Sequence, residues 1–122
     1  MTTLLRSTPL LPAGADLDAA LRFFVDELGF EVRWQGGSMA GVSRDQVEFN
    51  LVQNSDRHWA DNSSVSIAVD GLDGLYADYR GCSARVGPLE LKAWGRREFH
   101  MILASGVCLQ FYQGEEVDRA RP

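Results

Sequence analysis

The sequence is short of cysteine, histidine and positive charge, and it has no long apolar run. Its 2 cysteines, Cys82 and Cys108, are not spaced as metal ligands are, so both are expected to be reduced thiols. No stretch approaches the roughly 20 apolar residues of a membrane span. The opening residues Met1 to Arg6 lack a basic segment followed by an apolar one. No signal peptide is therefore expected, and the cytoplasm is the expected compartment. The net charge of −5 argues against nucleic acid, whose phosphates need a basic face. It is compatible with a cationic ligand, with simple solubility as the first reading. The 2 histidines, His58 and His100, have no partner at ligand spacing. His100 reads as a satisfied strand residue before a catalytic or ligating one. No Ser/His/Asp arrangement, P-loop or dinucleotide glycine motif is present.

What is present is one domain's worth of chain: 122 residues, 45% hydrophobic and 24% charged, as in soluble globular proteins. A first strand is predicted over residues 8–11. Leu17, Ala20, Leu21, Phe24 and Leu28 mark one apolar helix face over residues 16–28, with Asp16 able to cap it and Gly29 to end it. Strands follow over 30–35, 38–43 and 46–53. Phe30, Val32 and Trp34 share one side of the first, Gly36-Gly37 and Arg44-Asp45 make the turns, and Val47, Phe49 and Leu51 alternate with Glu48 and Asn50. Residues 54–63 are polar and read as a linker.

The order then recurs. A strand over 64–69 precedes a helix marked by Leu72, Leu75, Tyr76 and Tyr79. A short strand over 83–86, a loop over 87–95 and strands over 97–103 and 107–113 follow. The tail, 114–122, reads as frayed. Leu17, Ala20, Leu21 and Phe24 match Leu72, Leu75, Tyr76 and Tyr79 at one constant offset. Val47, Phe49, Asn50 and Leu51 match Val107, Leu109, Gln110 and Phe111 at another. Two consistent offsets in so short a chain imply an internal duplication. The expected architecture is α+β: two βαβββ repeats, about 7–53 and about 64–113, in a single domain. Their curved, incompletely closed mixed sheet would carry helices outside and a ligand cleft inside.

Several stretches resemble the glyoxalase/bleomycin resistance protein/dioxygenase (vicinal oxygen chelate) superfamily. Asp16-Leu17-Asp18, Phe23-Phe24 and Leu28-Gly29-Phe30 resemble its first-helix signature. Met39-Ala40-Gly41-Val42 before Arg44-Asp45, then Asp61-Asn62, and Val69 to Ala77 (VDGLDGLYA) look like the bleomycin-resistance proteins. So does Trp94-Gly95-Arg96-Arg97-Glu98-Phe99. One departure is Leu103-Ala104-Ser105-Gly106-Val107, where the family often has Asp-Pro-x-Gly-Asn; only the glycine persists.

The resemblance implies where a divalent metal would sit in the superfamily's enzymes: at Pro9 or Thr8, Ser64, Asn50 and Gln110. That set offers neither imidazole nor carboxylate, so no metal, cofactor or catalytic residue is expected. Binding is the better reading. Large planar ligands need aromatic surface and cationic ones need carboxylates. Trp34, Trp59 and Trp94 lie in or beside turn-rich segments, where they serve a ligand or pack the sheet. The resemblance puts Trp34 and Met39 at the antibiotic crevice and Trp94 at its edge. Glu48, Asn50, Asp61, Asn62 and Gln110 are candidate polar contacts. Arg96, Arg97 and Glu98 fit a structural salt bridge as well as a ligand contact. The implied protein is a homodimer, exchanging its first strand, that sequesters a cationic glycopeptide antibiotic such as bleomycin without catalysis. The alternative is a metal-dependent lyase, isomerase or ring-cleaving dioxygenase of the same superfamily, or a thiol transferase.

Overall fold

A computed structural model describes residues 1–114; the tail from 115 to 122 lies outside the described residues. Contacts divide the chain into two compact units, Met1–Asp56 and Arg57–Pro122. Each has a βαβββ order of elements and the same strand order, the second with one added helix and one added strand.

The first unit runs β1 (Leu10–Pro12), α1 (Leu17–Arg22), β2 (Glu31–Gly36), β3 (Met39–Arg44) and β4 (Val47–Val52). The sheet order is β1-β4-β3-β2, with β1 parallel to β4 and the other pairs antiparallel. The second unit opens with α2 (Arg57–Asp61) and continues β5 (Ser64–Val69), α3 (Leu72–Tyr79), β6 (Arg85–Val86), β7 (Glu90–Leu91), β8 (Arg97–Ile102) and β9 (Cys108–Gln113). Its order is β5-β9-β8-β6, β7 also pairs with β8, and β5 is parallel to β9. The fold is therefore α+β, with two mixed sheets, neither of which closes on itself.

The duplication extends to single side chains. The Leu17 amide donates to Gln53 Oε1 at 3.3 Å, and the Leu72 amide donates to Gln113 Oε1 at 3.0 Å. The last residue of β9, and the residue just after β4, thus each supply an acceptor to a free N–H in the first turn of the unit's main helix. The cores match too. Phe24, Phe30 and Phe49 pack with ring centroids 5.2 to 6.1 Å apart. Phe99 meets Tyr76 at 5.1 Å and Phe111 at 5.0 Å, and Tyr79 meets Phe111 at 5.5 Å. Aromatic rings at these distances add edge and offset-stacking attraction to their burial.

Several elements differ from expectation. β1 includes Pro12. Asn50 N bonds Pro9 O and Ala13 N bonds Val52 O, so the ladder uses the odd-numbered residues of this edge strand and needs no N–H at 12. Helix α1 ends at Arg22 and passes into a π-helical turn, Phe23–Glu27. There Leu28 N reaches Phe23 O, and Gly29 follows at φ 77°. The wider turn keeps Phe24 and Leu28 both buried. β2 is exposed along its whole length, contrary to the predicted core face. Its register shifts between Val32, opposite Val42, and Trp34, opposite Gly41. The extra residue turns Trp34 to the opposite face from Val32. The expected linker contains α2, and the expected loop over 87–95 contains β7. Backbone pairing with β8 forms β7 where no side-chain alternation announces it.

Candidate functional site

In each unit one sheet face packs on the helix and is apolar; the other carries polar side chains. Strand pairing fixes which residues share the second face, because side chains alternate along a strand. In the first unit this face holds Met39, Gly41 and Ser43 on β3, opposite Val52, Asn50 and Glu48 on β4. Glu48 Oε2 accepts from Thr8 Oγ1 at 3.2 Å. Trp34 joins the same face through the β2 bulge. Its indole lies over Gly41, in the space a Cβ at that position would fill, and stays 44% exposed. Glycine at 41 is what lets the ring lie on the strand. Trp34, Met39, Glu48 and Asn50 are thus brought together.

In the second unit the corresponding face holds Glu98, His100 and Ile102 on β8, opposite Tyr112, Gln110 and Cys108 on β9. Ser66 on β5 lies beside Gln110 and donates to its Oε1 at 3.0 Å. The centre of this face is Glu98, a residue sequence reasoning left as an undecided salt bridge. It has no exposed surface. Its Oε1 accepts from Trp94 Nε1 at 2.5 Å and from Arg96 Nε at 3.2 Å, and its Oε2 faces His100 Nε2 at 2.7 Å. Burial pushes the Glu98 carboxyl up. The hydrogen bonds from Arg96, His100 and Trp94, with the Arg96 charge, outweigh burial and hold it below the usual glutamate range. Arg96 in turn lies 3.9 Å over the Tyr112 ring. One ionised carboxylate therefore fixes the indole of Trp94, which remains 63% exposed, together with a stacked guanidinium and an imidazole.

Arg97 has a separate structural role, donating to Asp73 at 2.9 Å, which holds the Asp73 carboxyl below its ordinary value. The Cys108 thiol is pushed up by burial, opposed by its hydrogen bond with Gln110 and raised further by the Glu98 charge. Both cysteines are free.

The remaining sequence candidates lie on or just after α2. Arg57 donates to the carbonyls of Ala104 and Ser105 at 3.2 and 2.9 Å and pairs with Asp61 at 3.2 Å. A Cβ at Gly106 would collide with Asp61. Asn62 Nδ2 donates to His58 O at 2.7 Å, and Ser63 Oγ to Trp59 O at 2.7 Å. Asp61 and Asn62 thus tie the β8–β9 hairpin and the helix end, while Trp59 is half-buried on α2. The glycine of the departed family motif, Gly106, survives because the turn presses on Asp61 at φ 109°.

Solved structures now bear on this arrangement. The chain is similar to the bleomycin-binding protein of bleomycin-producing Streptomyces verticillus, solved with copper(II)-bleomycin. The identity is 28%, the TM-score 0.82, and the match covers 93% of this chain and 99% of that one. It is also similar to the bleomycin resistance determinant encoded on transposon Tn5, at 21% identity and TM-score 0.80, covering 92% and 99%. A glyoxalase/bleomycin resistance protein/dioxygenase from Nocardioides gives 15% and 0.71, covering 92% and 85%, which shows the fold alone. No protein-family model matches the chain, and no curated protein sequence does. By fold the chain is a member of the glyoxalase/bleomycin-resistance superfamily. Within it the chain stands near the bleomycin-resistance proteins, whose solved structures include bleomycin complexes.

The superfamily's metal positions can be tested against this chain. The strand register sets Leu10, not Pro9 or Thr8, opposite Asn50, and Ser66, not Ser64, opposite Gln110. Neither pair, the aliphatic Leu10 with the Asn50 amide in the first unit or the Ser66 hydroxyl with the Gln110 amide in the second, offers the imidazole or carboxylate that a divalent ion wants. Among the described residues no three His, Cys, Asp or Glu side chains form a metal-holding group. No helix there is long and apolar enough to cross a membrane.

Proposed function

We propose that this protein binds and sequesters a cationic antibiotic of the bleomycin type without transforming it. The observation that carries the reading is the similarity, at 28% identity over 93% of the chain, to a protein solved with copper(II)-bleomycin. The residues support it chemically. Trp34 lies over Gly41 and Trp94 is held by Glu98, so each offers an exposed ring whose orientation is set before a ligand arrives. Presenting fixed aromatic surface lowers the ordering cost of binding a planar group. Glu48 and Asn50 beside Trp34, and Gln110 on the second sheet, supply polar contacts. The −5 net charge draws cations.

We further propose that the working form is a homodimer that exchanges its amino-terminal strand. The exposed Leu4, Leu5 and Leu10 near that end are apolar surface available to a second copy. Sedimentation at micromolar concentration is expected to give twice 13.5 kDa; a monomer contradicts the dimer alone.

Isothermal titration with bleomycin tests the binding reading. Saturable heat with quenching of tryptophan emission is expected. Trp34→Ala and Trp94→Ala should each weaken binding by about tenfold, the loss of a stacked ring costing roughly 1 to 1.5 kcal/mol. No heat and no quenching at tens of micromolar ligand would leave only the fold.

A further inference from the structure

Glu98 and His100 form a carboxylate–imidazole pair whose outer nitrogen has no assigned work. Both Glu98 oxygens are engaged as acceptors, and the residue has no exposed surface. An ionised carboxylate can only accept, so His100 Nε2 carries the proton in this pair. In the neutral form of the ring the lone pair is then on Nδ1. Nδ1 meets no hydrogen-bond partner among the described residues. No buried side-chain nitrogen or oxygen there lacks a partner, so Nδ1 opens to the surface of a side chain that is 29% exposed. Gln110 lies directly across the strand pair, and its carbonyl is occupied by Ser66.

We propose that His100 Nδ1 coordinates a transition-metal ion that arrives already chelated by the bound small molecule, with Glu98 as the residue that positions the ring. A single nitrogen cannot hold a bare ion, and among the described residues no three His, Cys, Asp or Glu side chains gather to hold one. An ion with one open position needs only one donor, and imidazole suits copper, nickel, zinc and iron(II). A carboxylate on the far ring nitrogen fixes the tautomer and strengthens the ligating nitrogen. In the step itself the Nδ1 lone pair of the neutral ring displaces a water from the chelated ion, and no proton moves. The inference rests on the sequestration reading only for the identity of the chelate.

The probe is copper(II) iminodiacetate, which has open positions, titrated into the His58→Gln protein so that His100 is the one histidine left of 2. One-to-one binding is expected, read as a shift of the copper visible band. It should be about tenfold tighter than in His58→Gln/His100→Gln, and Glu98→Gln should weaken it by about tenfold. Nitrogen-15 NMR of the metal-free His58→Gln protein should show a protonated Nε2 and a bare Nδ1, with the Nδ1 signal broadened by substoichiometric copper. Equal affinity with and without His100, or a proton on Nδ1, overturns the proposal. Metal-free bleomycin provides the separating arm. Its binding without any response to the copper chelate removes the metal contact and leaves sequestration intact; a copper response without bleomycin binding does the reverse.

Discussion

Gly41 carries no side chain because the Trp34 indole occupies the space beside it. Gly41→Ala should lift the ring from the strand, cost about 1 kcal/mol, and weaken bleomycin binding. Urea unfolding, the tryptophan emission maximum and calorimetry read these three effects; unchanged emission would show that the ring does not rest there. Glu98 governs the other sheet. Glu98→Gln keeps the shape but removes the charge that three donors share, at a cost of about 2 kcal/mol. Its pH dependence has a definite sign. The native carboxyl titrates below its unfolded value, so its contribution is full above the ordinary glutamate range and is lost as pH falls through the depressed native value. The urea-midpoint gap between wild type and Glu98→Gln should therefore narrow on acidification; a constant gap would contradict the assignment. Trp34 and Trp94 could be singled out from the sequence because they stand outside the helix stripes. The role of Glu98 could not. An acidic residue between Arg97 and Phe99 signals nothing until β8 turns it inward and the preceding loop brings Trp94 and Arg96 onto it.

Elements with strong periodicity were readable: β5 falls where the Val65, Ile67 and Val69 alternation puts it, and α3 where Leu72 to Tyr79 marks a stripe. Elements made by backbone pairing or local side-chain ties were not. β7 exists through pairing with Arg97 and Glu98, and α2 is tied to the hairpin through Arg57. The β2 bulge defeated simple alternation, because one extra residue reverses every side chain beyond it. The repeat, however, has a consequence that can be measured. Gln53 and Gln113 make the same bond to equivalent helices. Gln53→Ala and Gln113→Ala should each cost about 1 kcal/mol, and the double variant should cost their sum, since the two contacts share no partner. Chemical unfolding checks this; strong non-additivity would mean that the two helix starts are coupled.

At the scale of the whole molecule, one βαβββ plan is used twice and its two polar faces have diverged. The first is built around an indole on a glycine; the second is built around a buried carboxylate that fixes an indole, a guanidinium and an imidazole. Neither face offers the donor set of a metal enzyme at the superfamily positions. The central proposal is retention of the ligand without chemistry. Equilibrium dialysis of the protein against bleomycin, followed by mass spectrometry of the recovered compound, tests it most directly. The account predicts that bleomycin accumulates on the protein side in stoichiometric amount and returns with its mass unchanged. A product of altered mass, or no accumulation, would contradict it.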